Sequence, residues 1–157
     1  MEVDVTTEAV IQRPRQEVFA FDADPSNATA WYRNIDSVEW LTDPAVEPGS
    51  QIRFRARFLG RTLEYTYEIR EVQPGLLLEM STADGPFPMR TTYEFRDEAA
   101  GQTRMSLRNR GRPSGFASLS APLMSRAMRR ATAKDLEMLK ELLESGQAPG
   151  SSGSTEV

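Results

Sequence analysis

Tyr65 and Tyr67 share one parity of an alternating run, and a hydroxyl on an apolar strand face needs a hydrogen-bond partner. Such groups could donate a proton or orient a bound molecule. Phe54, Phe58, Tyr93 and Phe95 point the same way from neighbouring runs. Met80, Met89, Met105, Met124 and Met128 add soft side chains that adapt to irregular space. Met124 and Met128 lie one helical turn apart, hence on one face. Asn109 shares the parity of Met105 and Leu107, so its amide needs a partner. Each of these has a plainer reading. The aromatics and methionines can be ordinary core, and Asn109 can sit at a strand end in solvent.

The absences narrow the chemistry further. The 157 residues contain no histidine and no cysteine. A Ser-His-Asp or Cys-His mechanism cannot operate, disulfides are excluded, and a zinc site is not expected. Asp22 and Asp24 flank a turn and read as caps, so no paired carboxylates mark a site. No glycine-rich loop follows a strand and opens a helix, which leaves a nucleotide fold unsupported. No cofactor is expected. The net charge of −4 argues against a general affinity for nucleic acid. One basic cluster, Arg126, Arg129 and Arg130, reads as a solvated helix face balanced by Asp135, Glu137, Glu141 and Glu144. No apolar run is long enough to span a membrane, and the first residues lack signal-peptide regions. A cytoplasmic location is the expectation.

These side chains must be held by strands. Residues 1–12 alternate, with Val3, Val5, Thr7, Ala9 and Ile11 on one face. Pro14 ends that strand, and a short amphipathic helix follows over 16–22. Ser26 or Asn27 can cap a second short helix that ends at Trp31. A strand is predicted over 35–42. Residues 51–58 and 62–72 then alternate strictly around Leu59-Gly60-Arg61, which predicts a β-hairpin. Arginines on its first strand are expected opposite glutamates on its second. Further strands are predicted over 76–82, 89–96 and 103–110. Thr91, Tyr93 and Phe95 share a face of the second of these. After Pro113 the period changes to about 3.6. A stripe from Leu123 to Leu143, which includes Asp135, predicts a helix of six or seven turns, irregular near Pro122. Residues 146–157 are rich in Gly, Ser and Pro and read as a flexible tail after a single domain over 1–145.

Seven strands with short connections should form an antiparallel sheet in an α+β fold. Only the C-terminal helix is long enough to cover its apolar face. A curved sheet gripping one helix cannot close everywhere, so a cavity is expected.

Several stretches, in this order, resemble a known family: Ile11 to Phe21, Asp24-Pro25-Ser26-Asn27 with Trp31, Gly49 to Phe54, Gly60-Arg61, Pro74 with Leu78, and Leu136 with Leu139-Lys140. Together they resemble the START/Bet v 1-like (SRPBCC) helix-grip superfamily, in its bacterial polyketide cyclase/dehydrase-type branch. The resemblance spans about residues 3–145. It implies a curved seven-stranded antiparallel sheet around a long C-terminal helix, with two short helices after strand 1. It also places Trp31 at a pocket mouth.

The expected ligand set is Trp31, Phe54, Phe58, Tyr65, Tyr67, Met80, Tyr93, Met105, Asn109, Met124 and Met128. The expected role is to hold a small hydrophobic or aromatic molecule, polyketide-, lipid- or isoprenoid-like, in a monomer or homodimer that does not bind nucleic acid. The resemblance allows an alternative: a cyclase or dehydratase that needs neither metal nor histidine, with Tyr65 or Tyr67 as proton donor. A co-chaperone-like interaction module is a third alternative within the same fold.

Overall fold

Strict alternation forms a strand when one parity can be buried. The run Gln51–Phe58 meets that condition by exposing its arginines and burying Ile52, Phe54 and Ala56. The computed structural model describes residues 2–116 and 119–146. Its strands are β1 (Val3–Ile11), β2 (Ile35–Trp40), β3 (Gln51–Phe58), β4 (Arg61–Gln73), β5 (Leu77–Asp84), β6 (Met89–Asp97) and β7 (Thr103–Gly111). The helices are α1 (Arg15–Asp22), α2 (Ala28–Trp31), entered through a 3₁₀ turn Pro25–Asn27, and α3 (Ala121–Ser145). One antiparallel sheet runs β1-β7-β6-β5-β4-β3-β2. This is the expected α+β helix-grip arrangement.

The outer face departs from the expected pairing in detail. Arg55 meets Glu64 across the hairpin at 3.3 Å, but Arg53 and Arg57 turn the other way, to Glu39 and Asp36 on β2. The register explains it, since Thr66 and Thr62 stand opposite Arg53 and Arg57.

Helix α3 lies along β1. Met124 and Met128 pack with Val3 and Val5 in one apolar cluster. Thr7 Oγ1 donates to Thr132 Oγ1 at 3.2 Å, and Lys140 Nζ donates to the Val10 carbonyl at 2.6 Å. The Gln12 amide donates to Glu144 Oε2 at 2.8 Å. Leu136, Leu139 and Leu143 enter the main core with Trp31, Phe95 and Met105. Pro122 causes no irregularity inside the helix. It falls in the first turn, where its missing N–H has no intrahelical partner to lose, and Ser120 caps the Leu123 amide. At the other end Gly146 adopts φ 74° and closes the helix. The tail expected beyond Gly146 lies outside the described residues.

The caps of the first corner are also redistributed. Asp24 accepts from the Ser26 amide at 2.9 Å, as a cap should. Asn27 instead donates to the Phe21 carbonyl, and Ser26 Oγ accepts from Trp40 Nε1. Asp22 caps nothing and is buried.

Leu139 is fully enclosed between helix and sheet. A Leu139→Ala change is expected to lower stability by about 2–5 kcal/mol, the range for a cavity left in a packed core. Urea denaturation tests it through a shifted midpoint at constant m-value.

Candidate functional site

Away from β1 the sheet curves off the helix, and the interior there is not filled. A cavity of about 170 Å³ remains between α3 and the concave face of β3–β7. Apolar cavities of roughly 150 Å³ stay dry and take up benzene. Its walls are mainly aromatic and aliphatic, with Phe54, Phe58, Leu63, Met80, Phe87 and Phe116 among them. Phe54, Tyr65 and Tyr67 form one group of ring contacts at 5.1–5.9 Å between centroids. Gly85 lets the β5–β6 turn close onto Tyr65, because a Cβ there would stand 2.9 Å from the tyrosine Cβ.

Of the expected ligand set, Phe54, Phe58, Tyr65, Tyr67, Met80, Tyr93, Asn109 and Met128 line the cavity. Trp31, Met105 and Met124 do not. Trp31 is enclosed in the core and stacks on Tyr32 at 4.0 Å, so the next residue, Tyr32, reaches the cavity in its place. Met105 is enclosed in the main core, and Met124 in the cluster against β1. Asn109 is not a solvated strand end: its Oδ1 accepts from Thr91 Oγ1 at 2.6 Å.

The polar groups are few and mostly committed. Thr91 donates its proton to Asn109, so the 2.7 Å bond between Thr91 and Tyr67 takes the tyrosine's proton. Tyr67 is thus a donor in use, and burial pushes its hydroxyl up to about 12. Tyr32 and Tyr93 share one hydrogen bond of 2.5 Å, which leaves one of their two protons to give. Burial raises both hydroxyls well above the ordinary value. Tyr65 makes no hydrogen bond among the described residues, and burial raises it as well.

The acidic group of the site is Asp135, which the sequence places among the charges of a solvated face. It stands on α3 one residue before Leu136 and is 4% exposed. Its Oδ1 accepts from the Arg33 amide at 3.0 Å. Burial raises its carboxyl to about 6, against the smaller opposing effects of that hydrogen bond and the Arg33 charge. Its position in an apolar stripe is the signal for this role. Thr91 gives a similar signal by sharing the parity of Tyr93. Tyr32, Phe87 and Phe116 come from loops and element ends, where no period applies.

Asp22 is the second buried carboxyl. It is 2% exposed, and neither oxygen has a hydrogen-bond partner among the described residues. Burial raises it well above the carboxylate range, and its charge bears on Tyr32 and Tyr93. Burial therefore favours its protonated form. Among the described residues no cluster of acidic side chains could hold a metal ion.

The raised carboxyl of Asp135 means that folding favours its protonated form. Its contribution is present below the unfolded value of 3.8 and is lost as pH rises through about 6. Asp135→Asn keeps an acceptor for the Arg33 amide and removes the buried charge. The variant is expected to be more stable than the parent by about 1–3 kcal/mol near pH 7.5, and nearly equal to it near pH 4. Thermal melts at the two pH values test this; equal gains at both would refute it.

Residues 2–144 match the family described as polyketide cyclase / dehydrase and lipid transport. No curated protein matches in sequence. Among solved structures, the ZhuI aromatase/cyclase of Streptomyces sp. R1128 superposes with a TM-score of 0.76 at 15% identity, covering 98% of this chain and 100% of its own. The protein TTHA0849 of Thermus thermophilus gives 0.75 at 20% identity, covering 88% and 94%. A START superfamily protein of Mycobacterium smegmatis gives 0.75 at 14% identity, covering 89% and 98%. At these identities the likeness is one of fold. With the family match over nearly the whole length, the chain belongs to the polyketide cyclase/dehydrase and lipid transport family.

Proposed function

We propose that the protein binds a small aromatic or apolar molecule carrying one or two oxygens, in the cavity between α3 and β3–β7. The observation that carries this reading is an aromatic-walled space of about 170 Å³ with a few uncommitted polar groups. The Tyr65 hydroxyl and one proton of the Tyr32–Tyr93 pair can donate to a carbonyl or phenol oxygen. The Asp135 carboxylate can accept from a hydroxyl. Burial of the ligand's apolar surface supplies affinity at about 25 cal/mol per Å², and the polar groups set orientation. A ligand carboxylate would meet Asp135 as a like charge and is disfavoured.

A second reading has one observation of its own. Asp135, with its carboxyl near neutrality, faces the same cavity as Tyr65. A base and a proton donor around one bound molecule would suit the cyclisation of a flexible polyketone. Asp135 would remove a proton from a methylene between two carbonyls. The carbanion would attack a third carbonyl, and Tyr65 would protonate the resulting alkoxide. Tyr67, whose proton is held by Thr91, has the lesser claim to that role.

Binding of 2-naphthol, followed by its own fluorescence, tests the first reading. Ala131 lines the cavity from α3, and Ala131→Phe should fill it and weaken binding at least tenfold, by about 1.4 kcal/mol or more. Equal affinity in the variant, or no uptake by the parent, would sink the proposal. For the second reading, Asp135→Asn should lower turnover of a poly-β-ketone by roughly 10²-fold or more, well beyond any loss of 2-naphthol affinity. Unchanged turnover would remove Asp135 from the mechanism.

A further inference from the structure

Among the described residues the basic cluster on α3 has one acidic side chain in its cleft, the buried Asp135, whose carboxyl is held by the Arg33 amide. Arg126, Arg130 and Lys134 recur at every fourth residue and form one exposed stripe. Like charges at this spacing repel and weaken a helix. Arg129 flanks the stripe, and Arg33 comes to it from the turn after α2. None of these five side chains forms an ion pair or hydrogen bond among the described residues. This is unusual in a chain of net charge −4 whose sheet arginines are largely paired with carboxylates.

Two exposed leucines border the same stripe. Leu123 stands one turn before Arg126, at the end of the stripe, and is 50% exposed. Leu59 faces it from the β3–β4 turn and is 47% exposed. Leu59 also has φ 50°, a left-handed position that suits Gly or Asn and is costly for a leucine. Neither packing nor turn geometry calls for leucine there. The cleft between turn and helix is continuous with the ligand cavity, because Asn34, Phe58, Ala131 and Asp135 line both.

From the unpaired cations flanked by exposed leucines we infer that this face docks on an anionic lipid surface, with the cavity mouth toward the bilayer. Cations attract the headgroups, and Leu59 and Leu123 enter the boundary with the acyl chains. The chemistry favours a membrane over an acidic protein because the leucines sit at the two rims of the basic stripe and do not form a central apolar patch. Ligand would then pass between bilayer and cavity without crossing water. Docking requires the cations and the two exposed leucines, whatever the cavity holds.

Cosedimentation with phosphatidylcholine vesicles, with and without phosphatidylglycerol, tests it. The protein should pellet with the anionic vesicles, stay in solution with the neutral ones, and be released at about 0.5 M salt. A triple variant, Arg126→Glu with Arg130→Glu and Lys134→Glu, should lose binding by at least tenfold, since each cation is worth roughly fivefold near such a surface. These residues are exposed, so the melting temperature and 2-naphthol affinity should be kept. Leu59→Ser with Leu123→Ser should weaken binding even though every charge is retained. Failure to pellet, equal pelleting with both vesicle types, or a triple variant that binds like the parent would overturn the proposal. Loss of 2-naphthol binding in the parent would instead count against the cavity reading.

Discussion

A strand and a helix of very different residue count must run side by side for the same distance. From Val3 to Gln12 and from Met124 to Glu144 the chain advances about 30 Å in each element, at about 3.3 and 1.5 Å per residue. The contacts keep that match in step: Val3 and Val5 with Met124 and Met128, Thr7 with Thr132, Val10 with Lys140, and Gln12 with Glu144. Clamped along this edge, α3 covers the β1 side of the sheet. It cannot also reach the concave face of β3–β6. The cavity follows from where the helix is held, and needs no special cavity-forming residue.

The electrostatics of the interior follow from the same geometry. Groups at the clamp are paired, while groups aimed into the gap have only each other. Thr91, Asn109 and Tyr67 satisfy one another, as do Tyr32 and Tyr93 in part. Tyr65 and one oxygen of Asp135 are left over. A fully satisfied set would make a rigid dry core, whereas leftover donors and acceptors make a space that a polar-tipped guest can complete.

Parity makes the sheet legible in the sequence. Residues 51–58 occupy β3 as predicted, and the other strands differ by a residue or two at their ends. Parity also puts Phe54, Tyr65, Tyr67, Met80, Tyr93 and Asn109 on the inner face. It says which way a side chain points, not what it meets, and so Met105 in solid core looks the same as Met80 beside the void. The helix stripe has the same limit for Met124 and Met128. Asp135 escapes for another reason: its charge sets it against the basic cluster nearby in sequence, although its place in the period puts it inside. Asp22 reads as a cap because it precedes a turn, and only tertiary packing decides that it is enclosed.

Asp22 also links this fold to the hydrogen-ion balance of its surroundings. In the unfolded chain its carboxyl is an ordinary acid, ionised at neutrality. In the native protein burial without a partner raises it well above that range. Folding therefore takes up hydrogen ions from the buffer wherever the pH lies between the unfolded and folded values. Alkaline conditions oppose that uptake, and the native state is penalised progressively as pH climbs from the unfolded toward the folded value.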